Sequence, residues 1–297
     1  MRSPSETVIF LHIPRTGGTT FERIPNRNYG RNQTLTFDGA NHREEIEKFT
    51  RLPELQRAQY KFIRGHLYFG FHRLLPGPST YVAFLREPIA RALSFYSYAR
   101  THSDHYLYRL LNDEQLSLKE LLERKTTHEL SNLQTRMIGG ASHDRNCLID
   151  RTVLETAKEN LRSSFCFVGL TEEFSASMML LARTLGWRLP VHIKRNASRK
   201  IDDAAMMDAQ THALLLEANA LDLELYTLAR QLFEIQLRNA GDSFATELRR
   251  FRRLNFFGGR AYEQYESLVG GVKQMLGRAK PSQSLEASNQ TTENSTI

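Results

Sequence analysis

Residues 7–21 read TVIFLHIPRTGGTTF, and the fold turns on how that stretch is read. Its opening, Val8-Ile9-Phe10-Leu11, is an apolar, β-branched run too short for an independent helix, which is the pattern of a buried strand. Pro14 has no N–H to offer a ladder, so the strand must stop before it. Gly17 and Gly18 then permit a tight turn and let the main chain approach a ligand that a Cβ would hold off. Thr19-Thr20-Phe21-Glu22 can begin a helix, with hydroxyls available to its first N–H groups. A strand, a Gly-rich turn and a helix N-terminus in succession make a cradle for an anion, because the free N–H groups and the helix dipole both favour negative charge. Arg15 adds a cation whose fork matches phosphate or sulfate oxygens. A plain turn is the simpler reading of Gly-Gly after a strand. A nucleotide-triphosphatase loop fits less well, since Thr19 stands where that motif needs Lys.

The remainder of the 297-residue chain is consistent with an ordinary globular protein: 25% of residues are charged, 40% are hydrophobic and the formal net charge is +7. That balance leaves ample material for a core and points to anionic partners, among which charge alone does not choose. No apolar run reaches the ~18 residues of a membrane span, and residues 1–8 lack the apolar centre of a signal peptide. The expected location is therefore cytoplasmic. Of the two cysteines, Cys166 lies in an apolar run and Cys147 in a polar loop, which favours free thiols in a reducing compartment.

Further along, Tyr60-Lys61-Phe62-Ile63 forms a second apolar run ending in Arg64-Gly65-His66. A third, Thr80-Tyr81-Val82-Ala83-Phe84-Leu85, ends in Arg86-Glu87-Pro88. Pro88 suits a first helical turn, and Ile89, Ala92, Leu93, Tyr96 and Ala99 follow at helical spacing. Residues 165–170 read as a fourth strand leading into a helix over 172–185, with Thr171 as its cap. Residues 42–59 read as helix interrupted at Pro53, and residues 26–41 as a surface loop with a short strand at 35–37. Short apolar strands alternating with amphipathic helices argue for an α/β fold, a mostly parallel central sheet flanked by helices.

Ligands of such sheets bind beyond the carboxyl ends of the strands. Arg15 with Gly17 and Gly18, then His66, then Arg86 all stand just past strand ends. They share one crevice if their strands are neighbours. Arg86 at a strand end and Ser94 two turns into the next helix suit a second anionic group, a fork plus a hydroxyl. The two sites together describe a ligand with anionic groups at two separated points.

HIPRTGGTTF with FLREPIARALSFY resembles the two cofactor signatures of sulfotransferases that use 3′-phosphoadenosine 5′-phosphosulfate (PAPS), and is most similar to the carbohydrate enzymes of the heparan and uronyl 2-O-sulfotransferase type with their bacterial relatives. The resemblance implies a P-loop-like sulfotransferase fold over residues 1–240. It implies that Arg15, Thr16, Gly17, Gly18, Thr19 and Thr20 hold the 5′-phosphosulfate, and that Arg86 and Ser94 hold the 3′-phosphate. Arg15 stands where the family most often has Lys. Gly65-His66 is similar to the segment carrying the catalytic base of the 2-O-sulfotransferases. Sulfuryl transfer resembles phosphoryl transfer, in which positioning and charge stabilisation dominate. A sugar hydroxyl needs a base, and an imidazole, with an ordinary pKa of ~6.5, suits the task. His66 is thus assigned as general base, with Arg15 stabilising charge on the leaving oxygen. No metal is required, because side-chain cations and the helix dipole supply the positive charge.

The expected acceptor is a glycan or polysaccharide; no nucleic-acid partner is expected. Arg136, on a helix expected from about Thr127, is a tentative acceptor contact. The basic loop 194–200 is expected to lie over the nucleotide. The rivals are a nucleotide-dependent small-molecule kinase and a non-catalytic binder of anionic polymers. Residues 241–279 read as a C-terminal helical extension whose basic amphipathic part, 244–254, suits packing on the main domain or contact with a membrane surface. Residues 280–297 read as a disordered tail.

Overall fold

β1 (Thr7–Leu11) is buried at every position and pairs on both sides, which makes it the centre of the sheet. A computed structural model describes residues 6–18, 24–37, 42–141, 147–189 and 207–256. Among them five strands form one sheet in the order β2-β3-β1-β4-β5, every pair parallel. The others are β2 (Thr34–Phe37), β3 (Phe62–Gly65), β4 (Ser79–Leu85) and β5 (Phe165–Leu170). Leu11 lies opposite Gly65 on one side and Ala83 on the other. β1 and β3 therefore end level, β4 runs two residues further, to Leu85, and the segments that leave them start from one edge of the sheet.

From β1 the chain passes to β2 and β3 on one side of the sheet and then crosses to β4 and β5 on the other. The reversal opens a crevice beside the carboxyl end of β1, where ligands of open parallel sheets bind. The near-continuous Val, Ile, Phe and Leu content of β1 and β4 follows from burial on both faces.

Twelve helices are labelled in chain order. They begin with α1 (Ile24–Tyr29), α2 (His42–Thr50), α3 (Glu54–Arg57) and α4 (Pro88–Thr101). Next come α5 (Tyr108–Asn112), α6 (Leu118–Glu123), α7 (Leu133–Ile138) and α8 (Arg151–Ser163). The last are α9 (Phe174–Leu185), α10 (Ala209–Ala218), α11 (Ala220–Asn239) and α12, residues 244–256. α4 starts as its sequence indicates: Pro88 opens the helix while the Glu87 carboxylate accepts from the N–H groups of Ile89 and Ala90. Ile89, Ala92, Leu93, Tyr96 and Ala99 are all buried, in a second core cluster shared with α5, α6 and α10. The main cluster joins the sheet to α8, α9 and α11.

Three local expectations change. The stretch read as a loop over 26–41 contains part of α1, whose Ile24 and Pro25 are buried. Arg136 lies on the short α7, preceded by a separate 3-10 turn at His128–Leu130, because Asn132 takes a left-handed φ of 46° and breaks the helix expected from Thr127. α9 begins at Phe174, with Thr171 outside it. On α12, Phe244 is buried under Arg183, and Leu248 and Phe251 pack against the main core. Both cysteines are free thiols, each half-buried. Among the described residues no helix is long and apolar enough to cross a membrane.

Phe10 is fully buried on β1. Phe10→Ala should lower the free energy of unfolding by about 3–5 kcal/mol, read as a shifted denaturant midpoint. An unshifted midpoint would contradict the central place given to β1.

Candidate active site

The turn after β1 is built from alternating hands of backbone. Arg15 has φ 70° and Gly17 φ 91°, with Thr16 between them outside that region. Alternation of this kind is the backbone pattern of anion-binding nests, and here the Thr16 N–H is itself taken by the Ile13 carbonyl at 3.4 Å. A left-handed φ at arginine is uncommon, and the surroundings hold it there. Thr16, fully buried, donates its hydroxyl to the Ile13 carbonyl at 2.8 Å. The Arg86 guanidinium donates to the Arg15 carbonyl at 3.1 Å. The Thr171 hydroxyl lies 3.0 Å from the Thr16 carbonyl and 3.1 Å from that of Leu85, so it ties the turn to the end of β4 instead of capping α9.

Gly18 is required for a different reason. A Cβ placed there would lie 1.7 Å from His12 Nε2, so the main chain rests directly on the imidazole. His12 in turn stacks between two other rings, on Phe10 at 5.6 Å between centroids and on His66 at 4.6 Å. His66 Nδ1 lies 2.9 Å from the His12 carbonyl. A carbonyl can only accept, so Nδ1 carries the proton and the neutral ring keeps its lone pair on Nε2.

Arg15, His66, Arg86 and Ser94 are thus brought to one crevice. Arg15 Nε donates to Ser94 Oγ at 3.1 Å, so the two segments read from the sequence as anion sites are joined directly. Arg15 also lies over the ring of Tyr98, 4.5 Å from its centroid. Burial, and after it the charge of Arg86, lowers the pKa of Arg15. Two like charges held together where solvent is already scarce favour an anion between them. Thr19, Thr20 and the basic loop 194–200 lie outside the described residues.

Behind Arg86 stands a polar assembly that the sequence did not disclose. Gln134, fully buried, clamps the Arg86 main chain, accepting from its N–H at 3.0 Å and donating to its carbonyl at 2.9 Å. Gln134 is fixed by its own N–H, which with that of Thr135 donates to the Asp222 carboxylate at 3.1 and 2.7 Å. Burial pushes the Asp222 carboxyl up, while Arg91 and these N–H groups pull it back. Arg91 is fully buried and donates to the Glu129 carbonyl at 2.6 Å. Arg136 is buried as well, 4% exposed, and donates to the Cys147 carbonyl at 2.8 Å. It therefore braces an internal loop, and the geometry does not support the tentative acceptor contact.

His12 and Gln134 are the participants that sequence reasoning missed. His12 directly follows β1 in the Gly-rich motif, but nothing in the spacing shows that its ring lies beneath Gly18. Gln134 carries no local signal of its role, because its target is a backbone segment 48 residues away.

An α/β sheet with a two-arginine anion crevice and an adjoining imidazole agrees with what the chain is related to. The family model for galactose-3-O-sulfotransferase matches residues 2–257, and the chain belongs to that family. Human galactose-3-O-sulfotransferase 3 is 26% identical over 273 residues, covering 83% of this chain and 62% of the relative. The heparin sulfate O-sulfotransferase of Drosophila melanogaster is 21% identical, covering 76% of this chain and 72% of its own length. The heparan-sulfate 6-O-sulfotransferase 2 of Gallus gallus is 23% identical, covering 77% and 67%. The chain thus spans about three fifths of the length of the human relative.

Gly18→Ala should reduce affinity for 3′,5′-adenosine bisphosphate by at least about tenfold. Because its clash is with one ring, adding His12→Ala should cost less than the sum of the two single changes. Calorimetric titration giving strict additivity would contradict the contact.

Proposed function

We propose that this chain transfers a sulfuryl group from PAPS to a hydroxyl of a glycan, with His66 as general base. The observation that carries the reading is the hydrogen bond between His66 Nδ1 and the His12 carbonyl, which sets the tautomer with its lone pair on Nε2 in a ring stacked on His12, beside Gly18. The residues suit the donor in charge and reach: a turn of alternating backbone hand at Arg15–Thr16–Gly17, and two tethered arginines beside a hydroxyl. When bound, PAPS supplies the sulfuryl group on a phosphate leaving group.

In this reading Arg15, Thr16, Gly17, Gly18, Thr19 and Thr20 hold the 5′ end, and Arg86 with Ser94 holds the 3′-phosphate. His66 Nε2 takes the proton of the acceptor hydroxyl as its oxygen bonds to sulfur. Arg15 stabilises the charge left on the departing phosphate oxygen, a task for which a fixed, half-buried cation needs little reorganisation. Membership of the galactose-3-O-sulfotransferase family supports a sugar acceptor and makes galactose the first to try. The heparan-type relatives support a glycan more broadly. The 2-O-sulfotransferase-like branch remains a narrower proposal, resting on the Gly65-His66 segment.

Two variants separate binding from chemistry. His66→Ala should keep its affinity for 3′,5′-adenosine bisphosphate and lose about 10²–10⁴ in the rate of labelled sulfate transfer. Arg86→Ala should weaken the bisphosphate by more than about tenfold, because a hydrogen bond to a charged group is lost, and should weaken 5′-AMP less, since that ligand feels only the lost tether to the Arg15 carbonyl. Full turnover in the first variant removes His66 from the mechanism. An equal loss for both nucleotides in the second removes Arg86 from the 3′-phosphate.

A further inference from the structure

Next to Arg15, at the end of α4, lies a cluster of rings for which the proposed reaction has no use. The Arg15 guanidinium and the His102 ring both lie against Tyr98, at 4.5 Å and 3.7 Å from its centroid. They cannot share one face, so Tyr98 is held between them. His105 meets the edge of Tyr98 at 88° and stacks on Tyr106, 4.6 Å between centroids. A row of rings therefore leads outward from the transfer arginine to the surface.

Its outer end is exposed and yet fixed. Tyr106 is 59% exposed, while its hydroxyl shares a 2.7 Å hydrogen bond with that of buried Thr127. A ligand covering such a ring takes little rotamer freedom from it. His105 is oriented too: the Leu107 N–H donates to its Nδ1 at 3.2 Å, so Nε2 bears the proton of the neutral ring. Burial lowers the pKa of His105, with His102 and Arg15 adding to the effect against Asp104, which favours that neutral donor. The exposed Asp104 adds a carboxylate acceptor beside it.

We infer that Asp104, His105 and Tyr106 form a binding subsite for a sugar ring of the acceptor, next to the sugar that is sulfated, with Tyr98 linking the subsite to Arg15. A pyranose offers a C–H face to an aromatic ring and hydroxyls around its rim, and this surface offers an aromatic face with a donor and an acceptor at its edge. A phenol or a lipid would have no use for both polar partners. The position, three successive contacts out from Arg15, suits an oligosaccharide better than a single sugar. The inference rests on the sulfotransferase reading, so its test carries a separate control for that reading.

Labelled sulfate transfer from PAPS is measured onto methyl β-galactoside and onto a galactose-terminated trisaccharide, with calorimetric binding of 3′,5′-adenosine bisphosphate alongside. Tyr106→Ala should raise KM for the trisaccharide about tenfold and leave kcat and KM for the methyl glycoside, and bisphosphate affinity, unchanged. Tyr106→Phe, which keeps the ring, should stay within about threefold of the parent. An unchanged trisaccharide KM in Tyr106→Ala, or an equal rise for both acceptors, overturns the subsite. So does a parent protein that sulfates a simple phenol and neither sugar. A parent that binds no bisphosphate overturns the sulfotransferase reading, and the subsite with it.

Discussion

Two arginines are tethered beside the end of β1, Arg86 to the Arg15 main chain and Arg15 to Ser94, and the site depends on how that arrangement is kept in place. Arg86 donates to the carbonyl of Arg15, and Arg15 reaches Ser94, so neither charge can turn away without breaking a hydrogen bond. Burial and the neighbouring cation both work against the charge on Arg15. A pocket of this kind is preorganised for a negative ligand, because the cost of gathering the charges is met during folding and not at binding. The parallel sheet makes it feasible, since β1 lies between β3 and β4 and the segments carrying His66, Arg15 and Arg86 leave from one edge.

The scaffold beneath is polar in a place where apolar packing would have been simpler. Asp222 and Arg91 are both fully buried, and Gln134 connects them to the Arg86 main chain. Buried charges of this sort add little net stability, yet removing one partner typically costs about 3–5 kcal/mol. Their evident use here is positional. Asp222 fixes the start of α7, α7 fixes Gln134, and Gln134 fixes the strand end from which Arg86 projects. Tyr226 and Glu172 add a parallel tie at the rim, the Tyr226 hydroxyl donating to a carboxylate that also accepts from the Glu87 N–H.

Much of this could be read from the residues, for identifiable reasons. The apolar runs of β1, β3, β4 and β5 mark strands because both faces of the sheet are covered, and Pro88 and Glu87 mark the start of α4 by local chemistry alone. Gly17 and Gly18 show that backbone must come close to something. What could not be read is long-range. The strand order that makes β3 and β4 neighbours of β1 is a property of the whole sheet. The ring of His12 beneath Gly18, the reach of Gln134 across 48 residues and the burial of Arg136 depend on tertiary contacts with no local periodicity. Thr171 looked like a helix cap because threonine often serves as one, but the carbonyls of Thr16 in the turn and Leu85 at the end of β4 claim its hydroxyl.

The proposed sulfuryl transfer stands on the two-ended anion crevice. Its most direct test is the structure of the complex with 3′,5′-adenosine bisphosphate. The account predicts the 5′-phosphate on the main-chain nest at Arg15–Thr16–Gly17 and the 3′-phosphate on Arg86 and Ser94, with His66 Nε2 open to the side where sulfur would be carried. A nucleotide bound elsewhere, or one that leaves Arg86 and Ser94 untouched, would contradict it.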